Sequence, residues 1–167
     1  MLKVSFNNKE VKRFSSNKVT LVTLSGKINL SEDMYCFPDH ILVWLRKYIK
    51  NIGITEEGYN RSGFLIKVTG KAVCSEGDVV DPIFGERLAE ARAKKILYRF
   101  MVNLSKQLFR YYFKILYGFT GIDNYKENNM DCLEGTIDKY EGLWERENIH
   151  AINLVNGKFN RQSTTKS

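Results

Sequence analysis

The chain of 167 residues carries 26 Lys or Arg against 19 Asp or Glu, a formal net charge of +7, with 43% hydrophobic and 13% aromatic residues. That is enough apolar material for a real core and excludes a disordered chain, while the basic balance favours anionic partners: nucleic acid, an acidic protein surface or a lipid headgroup layer. No run of about 18 uncharged apolar residues occurs, so no membrane-spanning helix is predicted.

In chain order, residues 2–6 alternate like a strand and hold no apolar signal-peptide core. A polar, basic link over 7–17 leads to a strand over 18–30, divisible into two short ones at Ser25-Gly26. Pro38-Asp39 introduces a short amphipathic helix near 40–50, where Ile41, Leu42, Leu45 and Ile49 share a face and Gly53 marks the stop. Phe64, Ile66 and Val68 alternate along a further strand over 64–74. Asp81 then caps, and Pro82 opens, a helix that runs to Gly118. At 1.5 Å per residue it spans roughly 55 Å.

Along that helix Leu97, Met101, Leu104, Leu108, Tyr111 and Ile115 recur at spacings of four and three, one apolar seam. Met130, Leu133, Ile137, Tyr140 and Trp144 repeat the pattern over 126–147. Two such seams joined by a Gly/Asn-rich turn predict an antiparallel hairpin with coiled-coil-like packing. Residues 149–155 read as a last strand, Asn156-Gly157 as a turn and 158–167 as a disordered tail. The expected architecture is α+β in one domain. A small antiparallel sheet with a short helix fills 1–80, a long antiparallel helical hairpin over 81–147 packs on it, a last strand lies within 148–157, and a tail follows.

The excess charge sits on the long helix. Residues 61–118 hold eleven Lys or Arg against five Asp or Glu, whereas 119–167 hold six against eight. Between Arg92 and Lys114 there is no acidic residue at all. Arg92, Lys95, Arg99, Lys106 and Arg110 fall on the side opposite the seam; if the seam meets the second helix, the first four point away from it, while Lys114 and Arg110 are the ones near enough to the flank to meet Glu127 or Asp131. A one-sign stripe of this kind suits phosphate contacts without sequence preference, with Tyr98, Phe113 and Tyr117 nearby as stacking candidates or as core. The other reading of the stripe is a solvated helix face, one version of which pairs it with the acidic stripe of the second helix, though the register of the seam weakens that pairing. The partner expected is RNA, DNA or a nucleoprotein complex, and not a membrane.

A competing surface lies on the second helix, where Glu134, Asp138, Glu141 and Glu145 form an acidic stripe that would dock on a basic protein partner. Gly135 and Gly142 lie one heptad apart on the side of the helix far from the seam, where glycine costs about 1 kcal/mol relative to Ala unless something approaches the backbone. Long seams are also compatible with a homodimer. For chemistry, Asp78, Asp81, Glu86 and Glu90 cluster around the start of the long helix and offer a metal-dependent nuclease as the enzyme alternative. Asp81 is already explained as a cap, however, and early-turn glutamates favour the helix dipole. Cys36 and His40 have zinc-compatible spacing but lack two further ligands. The three cysteines (Cys36, Cys74 and Cys132) are few and scattered, so they read as buried free thiols of a cytoplasmic protein. No phosphate-binding glycine loop, dinucleotide fingerprint or nucleophile signature occurs, so no cofactor, metal or catalytic residue is assigned.

Gly70, Ala72, Cys74, Asp78, Asp81, Gly85, Leu88-Ala89 and Arg92-Ala93 form the pattern G-x-A-x-C-x3-D-x2-D-x3-G-x2-L-A-x2-R-A. It resembles a run found in small phage and prophage proteins of uncharacterised function and covers residues 70–93 only. The resemblance implies a phage or mobile-element context in a host cytoplasm and no catalytic residues. Such proteins often act by binding, including as anti-CRISPR-type inhibitors of host defence nucleases.

Overall fold

The structure, a computed structural model, describes the backbone of residues 2–14, 18–29, 39–52, 54–60, 63–75, 81–118 and 124–164. Strands β1 (Lys3–Phe14), β2 (Val19–Asn29), β3 (Ile54–Asn60) and β4 (Gly63–Val73) form one antiparallel sheet in the order β1-β2-β4-β3. Helix α1 (Asp39–Ile52) separates the two hairpins, and α2 (Pro82–Gly118) and α3 (Asn124–Thr164) follow the sheet. The architecture is α+β, with the helices on one face of the sheet.

Strand alternation decides which face is covered. Val22, Leu24 and Ile28 of β2 and Phe64, Ile66, Val68 and Ala72 of β4 are buried, and their neighbours in sequence are not. Helix α2 lies on this apolar face at very short range. A methyl group on Gly70 would come 1.9 Å from the Ala89 carbonyl oxygen and 2.5 Å from the Ala93 nitrogen. Phe100 of α2 meets Phe64 edge-on (6.2 Å) and stacks with Tyr48 of α1 (6.2 Å), so α1 sits beside α2 on the same layer. On the other flank α3 runs antiparallel to α2. Lys106 meets Glu141, Tyr98 meets Tyr140 (6.0 Å), and Lys95 meets Asn148. The Val4 N–H donates to the Tyr140 hydroxyl (3.2 Å) and ties α3 to the edge strand.

Several elements depart from the sequence reading. The region expected as a link continues β1 to Phe14; apart from half-buried Val4 and Val11 this edge strand is exposed and shows no apolar alternation that would mark it. Strand β2 is unbroken: Ser25-Gly26 is a point of close approach, where a methyl on Gly26 would lie 2.6 Å from the Ser5 carbonyl oxygen, opposite a bulge between Phe6 and Asn8. Strand β3 was not anticipated, and its sequence ITEEGYN has little apolar character.

The last strand expected within 148–157 is helical, and α3 continues through Asn156-Gly157 and the first part of the expected tail to Thr164. Ala151, Leu154 and Val155 continue the α3 seam and pack against the core, so tertiary burial overrides the local β-like pattern. The expected stop at Gly53, the turn after Gly118, and residues 165–167 lie outside the described residues.

The close Gly70 contact yields a first prediction. Gly70→Ala should lower stability by about 3 kcal/mol, at the upper end of overpacking costs because the clash is with backbone. Urea unfolding of the two proteins checks it, and a loss below about 1 kcal/mol would mean that α2 lies farther from β4 than described.

Candidate functional site

Helix α2 is buried along two lines about 160° apart on the wheel. Ala89, Ala93 and Phe100 face the sheet and α1, while Ala91, Lys95, Tyr98, Val102 and Lys106 face α3. Of the predicted seam, Leu97, Met101, Leu104 and Leu108 lie in the angle between them and are fully buried, Tyr111 is half-buried, and the Ile115 side chain lies outside the described residues. What stays open is a narrow strip on the far side.

That geometry divides the predicted basic stripe. Lys95 and Lys106 do not point away from α3. Lys95 Nζ donates to Asn148 Oδ1 (2.6 Å), and Lys106 Nζ pairs with Glu141 Oε1 (2.6 Å). The correction follows from where the seam points: α3 packs beside the seam and not squarely on it, so the next helical positions round the wheel meet α3. Lys94 pairs with Glu90 one turn earlier (2.8 Å). Arg92, Arg99, Arg110 and Lys114 remain exposed. The three arginines fall within about 20° of one another on the wheel. Arg92 Nη1 donates to the Lys71 carbonyl (2.7 Å) at the β4 edge, and Arg99 and Arg110 make no side-chain bond among the described residues. Of the aromatic candidates, Tyr98 is buried against Tyr140. Phe113 is exposed and stacks with Phe109 (6.3 Å), and the Tyr117 side chain lies outside the described residues.

The carboxylates proposed for metal binding are otherwise engaged. Asp81 Oδ1 accepts from the N–H groups of Ile83 and Phe84 (3.0 Å each), as a helix cap does. Glu86 pairs with Lys9 (2.8 Å) and Arg13 (2.6 Å), and Glu90 with Lys9 (2.5 Å) and Lys94. Together they form a clamp between α2 and β1. The Lys9 hydrogen bond, aided by the Lys9 and Arg13 charges, holds the Glu86 carboxyl below its ordinary range. Burial pushes Glu90 up, but hydrogen bonds from Lys9 and Lys94 outweigh it and the net direction is down. Bonding to both glutamates raises Lys9. Asp78, Cys36 and the His40 side chain lie outside the described residues, among which no group of His, Cys, Asp and Glu is arranged to hold a metal ion.

Cys74 is half-buried, and Cys132 is exposed against the expectation of a buried thiol, because α3 turns that position away from α2. A cavity of about 360 Å³ opens at the end of the sheet between Phe14, Val19, Ala72, Phe84 and Leu88, beside Arg13. Its walls are apolar and suit a side chain or small apolar group better than a phosphate.

On α3, Glu134, Asp138 and Glu145 are exposed, and Glu141 is half-buried in its pair with Lys106. Nothing lies within 4 Å of a methyl group built on Gly135 or Gly142, so close packing within the chain does not account for these glycines.

No family model matches the chain, and no curated protein or solved structure is significantly similar to it. No described helix is long and apolar enough to cross a membrane.

The clamp makes stability depend on pH with a definite sign. Depressed carboxyl values in the folded state mean a stabilising contribution that is present above the unfolded value near 4.3 and lost as pH falls through the folded values. The raised Lys9 contributes below about 10.4 and loses that contribution as pH rises through its folded value. The stability difference between the parent and Glu86→Gln/Glu90→Gln should therefore be level from about pH 5 to pH 9 and shrink towards zero below about pH 4. Urea midpoints across pH test this, and a difference that persists undiminished in acid would show that the glutamates act by packing alone.

Proposed function

We propose that the chain is a non-enzymatic binding protein of the phage or mobile-element type, working in the host cytoplasm. It engages nucleic acid or a nucleoprotein complex such as a host defence nuclease. The observation that carries this reading is the uncovered strip of α2, where Arg92, Arg99 and Arg110 align without an acidic residue between Arg92 and Lys114. Lys95 and Lys106 leave the contact set and serve the α2–α3 join. Guanidinium groups on a rigid helix suit phosphate oxygens, since each presents a planar fork of donors and stays charged. Binding by this surface releases counterions and weakens steeply with salt.

The test is binding to labelled single-stranded RNA, single-stranded DNA and duplex at about 50 and about 250 mM salt. Arg99→Glu/Arg110→Glu should weaken binding by about tenfold or more at low salt. Lys106→Ala should change affinity less than about threefold, and stability by no more than about 1 kcal/mol as a half-exposed pair. Equal losses from both variants would remove the strip as the contact surface.

A second reading rests on the exposed acidic stripe and open glycines of α3, which would receive a basic helix of a protein partner at close range. Glycine at a site with no steric need costs helix stability, so Gly135→Ala and Gly142→Ala should each stabilise the isolated chain by about 1 kcal/mol or less. If these variants also keep full function in a partner-inhibition assay, this reading loses its support.

A further inference from the structure

The sheet face turned away from the helices is unoccupied by any described element. Cross-strand partners share a face, so the pairing register defines what this open face presents. Lys12, Leu21 and Lys71 form one row across β1, β2 and β4. Ser25 and Lys67 are neighbours in another, Lys27 and Leu65 in a third, and Lys3 stands beside Asn29. Across these three strands the face carries five lysines and a single acid, Glu10, which pairs with Lys12 (3.1 Å) in an exposed pair that does not immobilise the lysine. Hydroxyls fill the spaces between, with Thr23 and Thr69 bonded to each other at 2.9 Å.

We infer that this open face is a docking surface for the phosphate backbone of a nucleic-acid duplex, and that it joins the arginine strip of α2 round the uncovered edge of β4. The inference rests on the reading given under the proposed function and extends the contact to a second surface. Three observations carry it.

Charge complementarity is the first: the face is basic on β1, β2 and β4, whereas the exposed acids of α3 lie elsewhere. Continuity is the second. Strand β3 pairs with β4 only as far as Val68, and on the stretch beyond it Arg92 bonds the Lys71 carbonyl while the Lys71 side chain belongs to the open face. Composition is the third, and it selects the occupant. Phe14, at the end of the face, is its one aromatic ring on β1, β2 and β4, so the face lacks the stacking platform that single-strand binders use. Ammonium groups spaced by uncharged residues suit the outward phosphates of a duplex and read no sequence.

The experiment is fluorescence anisotropy with a duplex of about 20 base pairs over a salt series. It compares wild type, Lys12→Glu/Lys71→Glu, Arg99→Glu/Arg110→Glu, and Lys139→Glu/Arg146→Glu as a control of equal charge change on the outside of α3. Circular dichroism and thermal midpoints verify that each folds. The sheet variant should lose about tenfold or more in affinity and flatten the log–log salt slope by about two, while the α3 control stays within about threefold. If the sheet variant loses no more than the α3 control while the arginine variant releases the duplex, the open face is not part of the contact and the α2 reading stands. If wild type binds single strands but not duplex, the occupant named here is wrong. If wild type binds no nucleic acid at low salt, both readings fall together.

Discussion

Helix α2 is the member against which every other element is placed, and the constraint on it is steric. Gly70 gives up its side chain so that Ala89 and Ala93 can lie directly on β4. That approach leaves room on either side of α2 for α1 and α3 to share the same layer. A helix covered from the sheet and from α3 keeps only a narrow exposed strip, so the residues on that strip are the ones that packing does not select. In the central part of α2 those residues include Arg92, Arg99 and Arg110. The fully buried Leu97, Met101, Leu104 and Leu108 lie where the two contacts converge, and truncating any one of them would leave a cavity with little freedom to collapse.

The sheet presents the opposite problem, since its β1 edge is met by α3 only at Val4 and its outer face is covered by no described element. Strand β1 is a 12-residue edge, long enough to template pairing with another chain. Its defences are visible: a bulge at Phe6/Asn8 and charges on both faces. The charges facing α2 serve a second purpose, because Lys9 and Arg13 reach across to Glu86 and Glu90 and fix the angle at which the helix crosses the strand. After the bulge the parity of β1 shifts by one, and that shift turns Lys9, Val11 and Arg13 towards the helix and leaves Glu10 and Lys12 outside. Without it the clamp residues would lie on the open face.

Much of this was legible in the sequence where one face of an element is buried. The long helix with its Asp81 cap, the short helix with Ile41, Leu45 and Ile49, and the strand through Phe64, Ile66 and Val68 all carry their period in plain sight, whereas the close approach of Gly70 to Ala89 and Ala93 does not. Edge elements were only partly legible: the strand over 2–6 is the start of β1, but its continuation to Phe14 buries too little for alternation to be selected, and the sequence ITEEGYN of β3 shows no apolar alternation. The end of α3 was misread for a related reason: Ile149, Ile152, Leu154 and Val155 have strand-like composition, and only the length of α2 beside them makes a helix the better way to bury Leu154 and Val155. The candidate site was half legible. Charge counting found the basic region, but a single helical wheel does not reveal that α3 lies beside the seam, and so it grouped Lys95 and Lys106 with arginines that face solvent.

The cations of the fold then divide by location. Lys9, Arg13, Lys94, Lys95 and Lys106 each find an oxygen on α2 or α3, and four of the five bridge two elements. Pairs this exposed contribute about 1 kcal/mol or less apiece, so their value lies in register, since a slipped helix would leave carboxylates unpaired. The remaining lysines of the open face stand apart from one another. No two are direct cross-strand neighbours, and Lys12 and Lys71 are separated by Leu21, about 10 Å at ordinary strand spacing. Self-repulsion at that distance is largely screened at physiological salt, where the Debye length is about 8 Å. An array of this kind costs the fold little while still raising the local potential, and the acidic excess of α3 gives the molecule a charge polarity that, under the proposed reading, would steer an approaching polyanion towards the sheet and the arginine strip. Dispersed single lysines on a mixed-sign surface would give the same net charge without that direction, and direction is what a backbone-reading surface needs.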